Sequence, residues 1–479
     1  MIKNNIRNIT PLLILVLFSL LIKMYVWRNT FVVNPDALEY IDQAKLIYLG
    51  DIKGAKECGK HYLSIYHFFI PISYKIFKDW IIAAKAVSFF FAIMCTIPIY
   101  LSFLMISDKN TAFLCGLLFS VNPFFSRMSV EIIKDQVFWF FLCVGLFFSI
   151  CWFKKEKIIY FFLSLFFFLI SSLARIEGVI VAFSSAFLLL FFSKKRKFVF
   201  LYAPLLGIII SAFFFKPALW NIYFRPRLDL IFRLREISID KFIKIFPHIL
   251  SGILYVFSLP FFFFLIAGFK RIKAIFSRPE FKYLFSISLI SILSLLIFFC
   301  SVCYSRRYLA VFFFPSFFFI APCILDIQER LKKILPERIL ILLLSLFIII
   351  TCSLFNLKER RKDKIIYKKI GQYISRIEKK KFVNILSYDR RVNLYANKNS
   401  FKALCNEKLL SNIEIFQQSD DKKIIDYLKK NNIKYVLWQS DKWETEINRK
   451  KYLRLIKEWK EKNNKIYKLY IFEDEKNSN

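Results

Sequence analysis

The chain has 479 residues, 57% of them hydrophobic and 19% aromatic, and a formal charge of +37. That apolar content exceeds what soluble domains of this length carry, and no alternating pattern suggests an outer-membrane barrel. The charge comes without a basic and aromatic RNA-binding motif, so it reads as a Lys-rich composition with basic loops at a membrane surface, and nucleic acid is excluded as a partner.

The first 27 residues, MIKNNIRNITPLLILVLFSLLIKMYVW, have a charged start and a long apolar core. Lys23 lies near the end of that core and no small-x-small cleavage site is visible, so the segment reads as a retained signal anchor. Further apolar runs of about 16–25 residues recur as far as residue 355, the pattern of a polytopic helical membrane protein. The predicted spans are 9–27, 81–105, 111–126, 136–153, 158–173, 177–192, 198–216, 249–269, 283–303, 308–325 and 338–355, eleven in all. Residues 158–192 are too many for one crossing and are interrupted by Arg175-Ile176-Glu177-Gly178, so they read as two short spans.

Orientation follows from the basic loops. Lys154-Lys155-Glu156-Lys157, Lys194-Lys195-Arg196-Lys197, Lys270-Arg271-Ile272-Lys273 and Arg330-Leu331-Lys332-Lys333 all fit the cytoplasmic side, together with an N-terminus carrying Lys3 and Arg7. Eleven spans then put the C-terminus outside the cytoplasmic (inner) membrane. Residues 28–80, the 127–135 loop, the Arg175/Glu177 turn, the 217–248 loop and the 304–307 turn share that outer face.

Residues 1–356 form the predicted transmembrane domain and 357–479 an extracytoplasmic mixed α/β domain. The tail reads as helix near 364–380, strand 382–388, helix near 420–431, strand 435–439, helix near 443–462 and strand 465–472. It has no phosphate-binding glycine motif. Neither a solenoid repeat nor an inverted pair of broken helices stands out. Of ten cysteines, Cys95, Cys115, Cys143, Cys151, Cys300, Cys303, Cys323 and Cys352 lie in or beside apolar spans, as small hydrophobes. Only Cys58 and Cys405 are in polar regions; a pairing between them outside the cell is open but not expected, and no zinc pattern is present.

Four polar stretches interrupt this apolar chain. In NPDALEYIDQAK, a helix over 35–48 sets Asp36, Glu39 and Tyr40 on one face. Pro35 suits a first helical turn, and acids are favoured at a helix N-terminus, so an ordinary interfacial helix accounts for the same pattern. In NPFFSRMSVEIIKDQVFWFF, Glu131 and Asp135 are four apart, flanked by Arg127 and Lys134; local ion pairs on a solvated loop are the plain alternative. In SSLARIEGVIVAF, Arg175 and Glu177 lie between apolar runs, where charges are costly and are paired or functional. In CYSRRYLAVFFFP, Arg306, Arg307 and Tyr308 open a span. Arginine forks suit phosphate oxygens, while snorkelling anchors are the alternative.

NPDALEYIDQAKLIYLGD, NPFFSRMSVEIIKD, ARIEG and SRRYLAVFFFP, in this order over residues 1–355, resemble the motif series of the GT-C membrane glycosyltransferases. The nearest likeness is to the glycosyltransferase 39, or dolichyl-phosphate-mannose-protein mannosyltransferase-like, group that includes the aminoarabinose transferases. The resemblance implies inverting transfer of a sugar from a polyprenyl-phosphate donor to a glycan, lipid or protein acceptor. It implies Asp36 as the base, with Ala37 standing where the family often has a second acid and Glu39 as the next acid available. Glu131 or Asp135 would orient hydroxyls or help hold a divalent cation, a cofactor the sequence permits but does not require. Arg175, Arg306 and Arg307 would meet phosphate, with Tyr40, Glu177 and Tyr308 completing the substrate-binding set. His61 and His67, in the first outer loop, read as interfacial residues. A transporter or flippase of lipid-linked glycans is the alternative, but it predicts polar groups deep in several spans. A non-catalytic scaffold with an outer binding domain is a third reading, and it has no need of Asp36.

Overall fold

The structure, a computed structural model, covers residues 2–59, 62–193, 239–301, 304–379, 382–405, 411–417, 421–443, 450–461 and 464–473. His61, Cys303, the predicted span 198–216 and the Lys194–Lys197 loop lie outside the described residues. Contacts sort the chain into two compact units. One comprises Met1–Asn29, Ser64–Tyr66 and Val87–Lys358; the other comprises Thr30–Leu63, His67–Ala86 and Glu359–Asn479.

The first unit is helical, and every predicted span within the described residues falls on helix. Among the described residues, five helices are long and apolar enough to cross a membrane: Ile9–Arg28, Trp80–Ile106, Asp135–Lys155, Pro279–Cys300 and Glu337–Asn356. Two bent pairs raise the number to seven: Asp240–Phe257 with Leu259–Ala267, at 89°, and Arg306–Phe317 with Ile320–Leu331, at 51°. The first bend occurs at Ser258, whose φ of 70° is left-handed, with Pro260 two residues on. Predicted span 111–126 is cut in two because the Asn122 side chain accepts from the backbone N–H of Phe124 (2.9 Å) and Phe125 (3.3 Å), starting a new helix at Pro123. Ile158–Ala174 and Glu177–Phe191 are shorter apolar helices.

The chain is therefore a multi-pass helical membrane protein, and its packing follows from that solvent. On the first helix Leu13, Leu17 and Leu21 are exposed at intervals of four, a lipid-facing stripe, while Leu15, Ser19, Lys23 and Val26 are buried. The buried Lys23 ammonium donates to Ser19 Oγ at 2.6 Å and to the Ser120 carbonyl at 3.2 Å. Hydroxyls join four helices: Ser149 meets Ser164 at 2.7 Å and Tyr283 at 3.0 Å, and Tyr283 donates to Ser185 at 2.9 Å. With no hydrophobic drive between helices in lipid, such bonds and close small-residue contacts hold them together. Gly145 supplies one such contact, since a Cβ there would lie 2.5 Å from the Phe168 ring.

In the second unit the tail forms a four-stranded sheet from β1 (Asn384–Ser387), β2 (Ile433–Gln439), β3 (Leu453–Lys460) and β4 (Ile466–Phe472). The order is β1-β2-β4-β3, with β1 parallel to β2 and the other pairings antiparallel. Helix Ile365–Ile377 buries Ile366, Ile370 and Ile374 against Ile385, Val392, Leu437 and Leu469, the i, i+4, i+8 stripe of an amphipathic helix. Helix Asp421–Lys430 agrees with its prediction. The predicted helix near 443–462 is corrected: residues 453–460 are the edge strand β3. A register shift between Leu455 and Lys457 leaves Leu453, Ile456 and Trp459 as its least exposed positions. That spacing of three, produced by a bulge, imitates helical periodicity.

Residues of the loop after the first span belong to this same unit. They comprise helices Ala37–Tyr48 and Ile52–Glu57 and a bridge between Thr30 and Arg360. Cys58 and Cys405 form a disulfide across 347 residues of sequence, with Cα atoms 4.6 Å apart, which corrects the expectation that they stay unpaired. Sequence distance says nothing against such a bond once the fold brings the two Cα atoms within bridging range.

Candidate functional site

In the helical unit the charged interruptions of the sequence become one buried cluster. The helix ending at Ala174 stops because Arg175 takes an extended conformation (φ −147°, ψ 144°), and the next helix starts at Glu177. Residues two apart on a continuous helix face away from each other; this break turns them together. Arg175 donates through Nη2 to Glu177 Oε1 at 2.6 Å and through Nε to Oε2 at 3.2 Å. Its Nη1 donates to Asp135 Oδ1 at 2.5 Å, from the first turn of helix Asp135–Lys155. Gly178 permits the tight return, because a Cβ there would approach the Ser172 backbone nitrogen to 2.6 Å. Asp135 and Arg175 are 1% and 5% exposed, so the pairing is that of charges withdrawn from water.

Tyr308 roofs this cluster, its ring centroid 4.4 Å from the Arg175 guanidinium and 5.7 Å from that of Arg307. Arg306 turns the other way and lies 5.1 Å from the Tyr255 ring. Arg127 donates to the Tyr255 hydroxyl at 2.8 Å and to the Phe355 carbonyl. Two aromatic rings thus hold four arginines by their faces, a geometry that leaves guanidinium edges for hydrogen bonding. Glu131 is buried in the turn before Asp135. Tyr255 was missed in the sequence: in SGILYVFSLP it has no polar neighbour to signal it.

A cavity of about 480 Å³ lies elsewhere in the same unit. Phe257, Phe261, Phe262, Phe285, Phe312, Phe319, Leu265 and Leu289 line it, with Ser288 and Ser316 as its hydroxyls. Such a wall suits an aliphatic chain and offers little to a sugar.

The first-loop candidates lie in the second unit. Asp36 is half-buried and immediately precedes helix Ala37–Tyr48, but its side chain makes no capping hydrogen bond. Its place at the helix start is the one the interfacial-helix reading expects. Glu39 is buried with its methylenes against Gly59, where a Cβ would meet Glu39 Cγ at 2.3 Å. Gly59 has a φ of +89°, so only glycine serves both needs. Tyr40 is buried and stacks on His67 with centroids 5.2 Å apart.

Asp42, one turn further along the same helix, is 1% exposed. Its Oδ2 accepts from the Leu404 backbone N–H at 2.9 Å and its Oδ1 from Lys45 Nζ at 3.3 Å. Burial pushes the Asp42 carboxyl above its ordinary range, and Lys45 and the Leu404 N–H pull against that rise. Among the described residues no three His, Cys, Asp or Glu side chains form a metal-ligand group. At Glu131 and Asp135, Arg175 engages Asp135 through Oδ1.

Comparison with known proteins agrees with this architecture. Residues 65–220 match the family model described as dolichyl-phosphate-mannose-protein mannosyltransferase. That segment, a third of the chain, includes Glu131, Asp135, Arg175 and Glu177 and excludes Asp36, Glu39, Arg306 and Arg307. No curated protein matches the chain. Among solved structures, apo ArnT from Cupriavidus metallidurans superposes with a TM-score of 0.63 at 13% identity, covering 95% of this chain and 97% of that one. ArnT bound to undecaprenyl phosphate gives 0.58 at 12% identity over the same shares. Archaeal oligosaccharyltransferase AglB from Archaeoglobus fulgidus, in complex with an inhibitory peptide and a dolichol-phosphate, gives 0.55 at 11% identity, covering 91% of this chain and 69% of that one. The likeness establishes the fold: the chain has the GT-C architecture expected from its motifs, with a small C-terminal mixed sheet.

Proposed function

We propose that the chain is an integral-membrane glycosyltransferase that moves a hexose or pentose from a polyprenyl-phosphate donor to an extracytoplasmic glycan, lipid or protein acceptor, with inversion. The observation that carries this reading is the end-to-end likeness to ArnT, crystallised with undecaprenyl phosphate, over 95% of this chain. The phenylalanine-lined cavity adds support, being suited to an isoprenoid tail. So does the disulfide, which is at home outside the reducing cytoplasm and favours the loop and tail facing out from the cytoplasmic membrane.

The reaction is a single displacement. The acceptor hydroxyl oxygen bonds to the anomeric carbon and its proton passes to the Asp36 carboxylate. The bond from that carbon to the phosphate oxygen breaks, and its electron pair leaves with the polyprenyl phosphate. A phosphate monoester is a good leaving group, so it needs charge stabilisation more than a proton. Arg306 and Arg307 are assigned that role because a planar guanidinium seated against a tyrosine face suits fork-like bonding to phosphate oxygens. Arg175, with three of its five N–H groups on carboxylates, is the weaker phosphate candidate and the stronger organiser of the two helix starts that carry Asp135 and Glu177. Glu131 is retained as a hydroxyl-orienting group, and Tyr40 and Tyr308 as walls against sugar or phosphate.

The test is a comparison of surface glycans from a strain lacking the protein with those of its parent. One sugar substituent is expected to disappear, and to return with the intact gene but not with Asp36→Asn. Identical glycans in the two strains would contradict the reading.

A further inference from the structure

Within the second unit, residues 401–405 bind the acid-bearing helix Ala37–Tyr48 and the end of the next helix, Ile52–Glu57, at nearly every position. Phe401 lies against Tyr48, with ring centroids 5.8 Å apart, and also meets Tyr74 and Trp80. The Lys402 carbonyl accepts from Lys45 Nζ at 3.4 Å. The Leu404 N–H donates to Asp42 at 2.9 Å, and Cys405 is bonded to Cys58. Asp42 and Lys45 are each 1% exposed, so neither charge is held by solvent. Their pairing to each other and to this segment is what makes their burial tolerable.

We infer that residues 401–405 act as a strap that fixes the position of Asp36 and Glu39, with Asp42 as its positioning residue and the Cys58–Cys405 disulfide as its lock. The inference rests on the proposed transferase for its catalytic consequence.

The path from lock to acid is short. Cys58 is followed by Gly59, and Gly59 is the surface on which the Glu39 side chain lies. Releasing Cys58 frees the turn beneath Glu39. Releasing Asp42 frees the same helix one turn further on. Other contacts of helix Ala37–Tyr48 include a backbone N–H from Ala37 to the Asn34 carbonyl at 3.2 Å, the Tyr40–His67 stack and the aromatic contacts of Tyr48. A general base displaced by an ångström loses rate while donor binding elsewhere is preserved. The strap therefore gives the tail a role in catalysis without contributing a reacting group.

Two readouts test this on the purified full-length protein. The first is hydrogen exchange of residues 37–48, which needs no substrate. Asp42→Ala and Cys405→Ser are expected to raise it at least about tenfold, with strands β2 and β4 unchanged, as for a local opening. The second is kinetics. Both variants are expected to lower kcat about tenfold or more with the donor KM within about twofold. Asp42→Asn, which keeps an acceptor for the Leu404 N–H, is expected to recover most of that loss. The double variant Cys58→Ser/Cys405→Ser should match either single one, because the two thiols act as one bond. Unchanged exchange over 37–48 overturns the inference, as does raised exchange with unaltered kcat. Raised exchange in variants of a protein whose wild type transfers no sugar supports the strap and refutes the proposed function instead.

Discussion

Asp36→Asn is expected to lower sugar transfer by about 10²–10⁴-fold, the range a positioned general base contributes. The substitution keeps the shape of the side chain and removes only its ability to take a proton. The isosteric change keeps the side chain's volume at the start of helix Ala37–Tyr48. The loss is thus expected in kcat of a protein that is folded and inserted at wild-type levels, which thermal unfolding in detergent verifies. Ala37 occupies the place where a second acid is often found in the resembling family, so Glu39→Gln decides how the work is divided. A smaller loss in Glu39→Gln than in Asp36→Asn is expected, because Glu39 is buried against Gly59. Unaltered transfer by Asp36→Asn would remove the base assignment, and a larger loss from Glu39→Gln would move it to Glu39.

Arg175→Met is expected to destabilise the helical unit by about 3–5 kcal/mol, the cost of leaving a buried charge without its partner. Two carboxylates, Asp135 and Glu177, converge on this one guanidinium, and removing it leaves them buried and mutually repelling. Arg175→Lys keeps the charge but cannot span Glu177 through both Nε and Nη2 while also reaching Asp135, so it should recover only part of the loss. The triple variant Arg175→Met/Asp135→Asn/Glu177→Gln is expected to be more stable than Arg175→Met alone, because it removes the stranded charges. Thermal unfolding of the detergent-solubilised chain measures all three. An Arg175→Met variant as stable as the wild type would show that the cluster does not hold the two helices.

Much of the helical unit was legible because lipid imposes a simple code. Runs from Ile9 to Phe355 had to be helical to satisfy their own backbones, and helices stand at each predicted span within the described residues. The bends were not legible: a left-handed Ser258 and the cap at Asn122 are decided by local geometry that hydropathy averages away. The four polar stretches were picked out by their charge alone, but their grouping was not. Arg175 and Glu177 face each other only because a helix breaks between them, and Tyr308 joins them by its ring face, an interaction with no spacing rule. In the tail, β3 misled because a bulge gives three-residue spacing to Leu453, Ile456 and Trp459. The binding of Asp42 to Leu404 and of Cys58 to Cys405 was the least legible part. Both are tertiary contacts across some 350 residues, and no local pattern encodes which distant backbone N–H a carboxylate will meet.

The central claim is that a sugar leaves a lipid phosphate. It is tested most directly by reconstituting the purified chain in liposomes with a polyprenyl-phosphate sugar labelled in the sugar and a membrane extract as acceptor. The account predicts labelled sugar on the acceptor and one free polyprenyl phosphate released per sugar moved, none of either with Asp36→Asn, and no transfer from a nucleotide sugar. Transfer from the nucleotide sugar, or movement of the intact labelled lipid across the bilayer with no polyprenyl phosphate released, would contradict it.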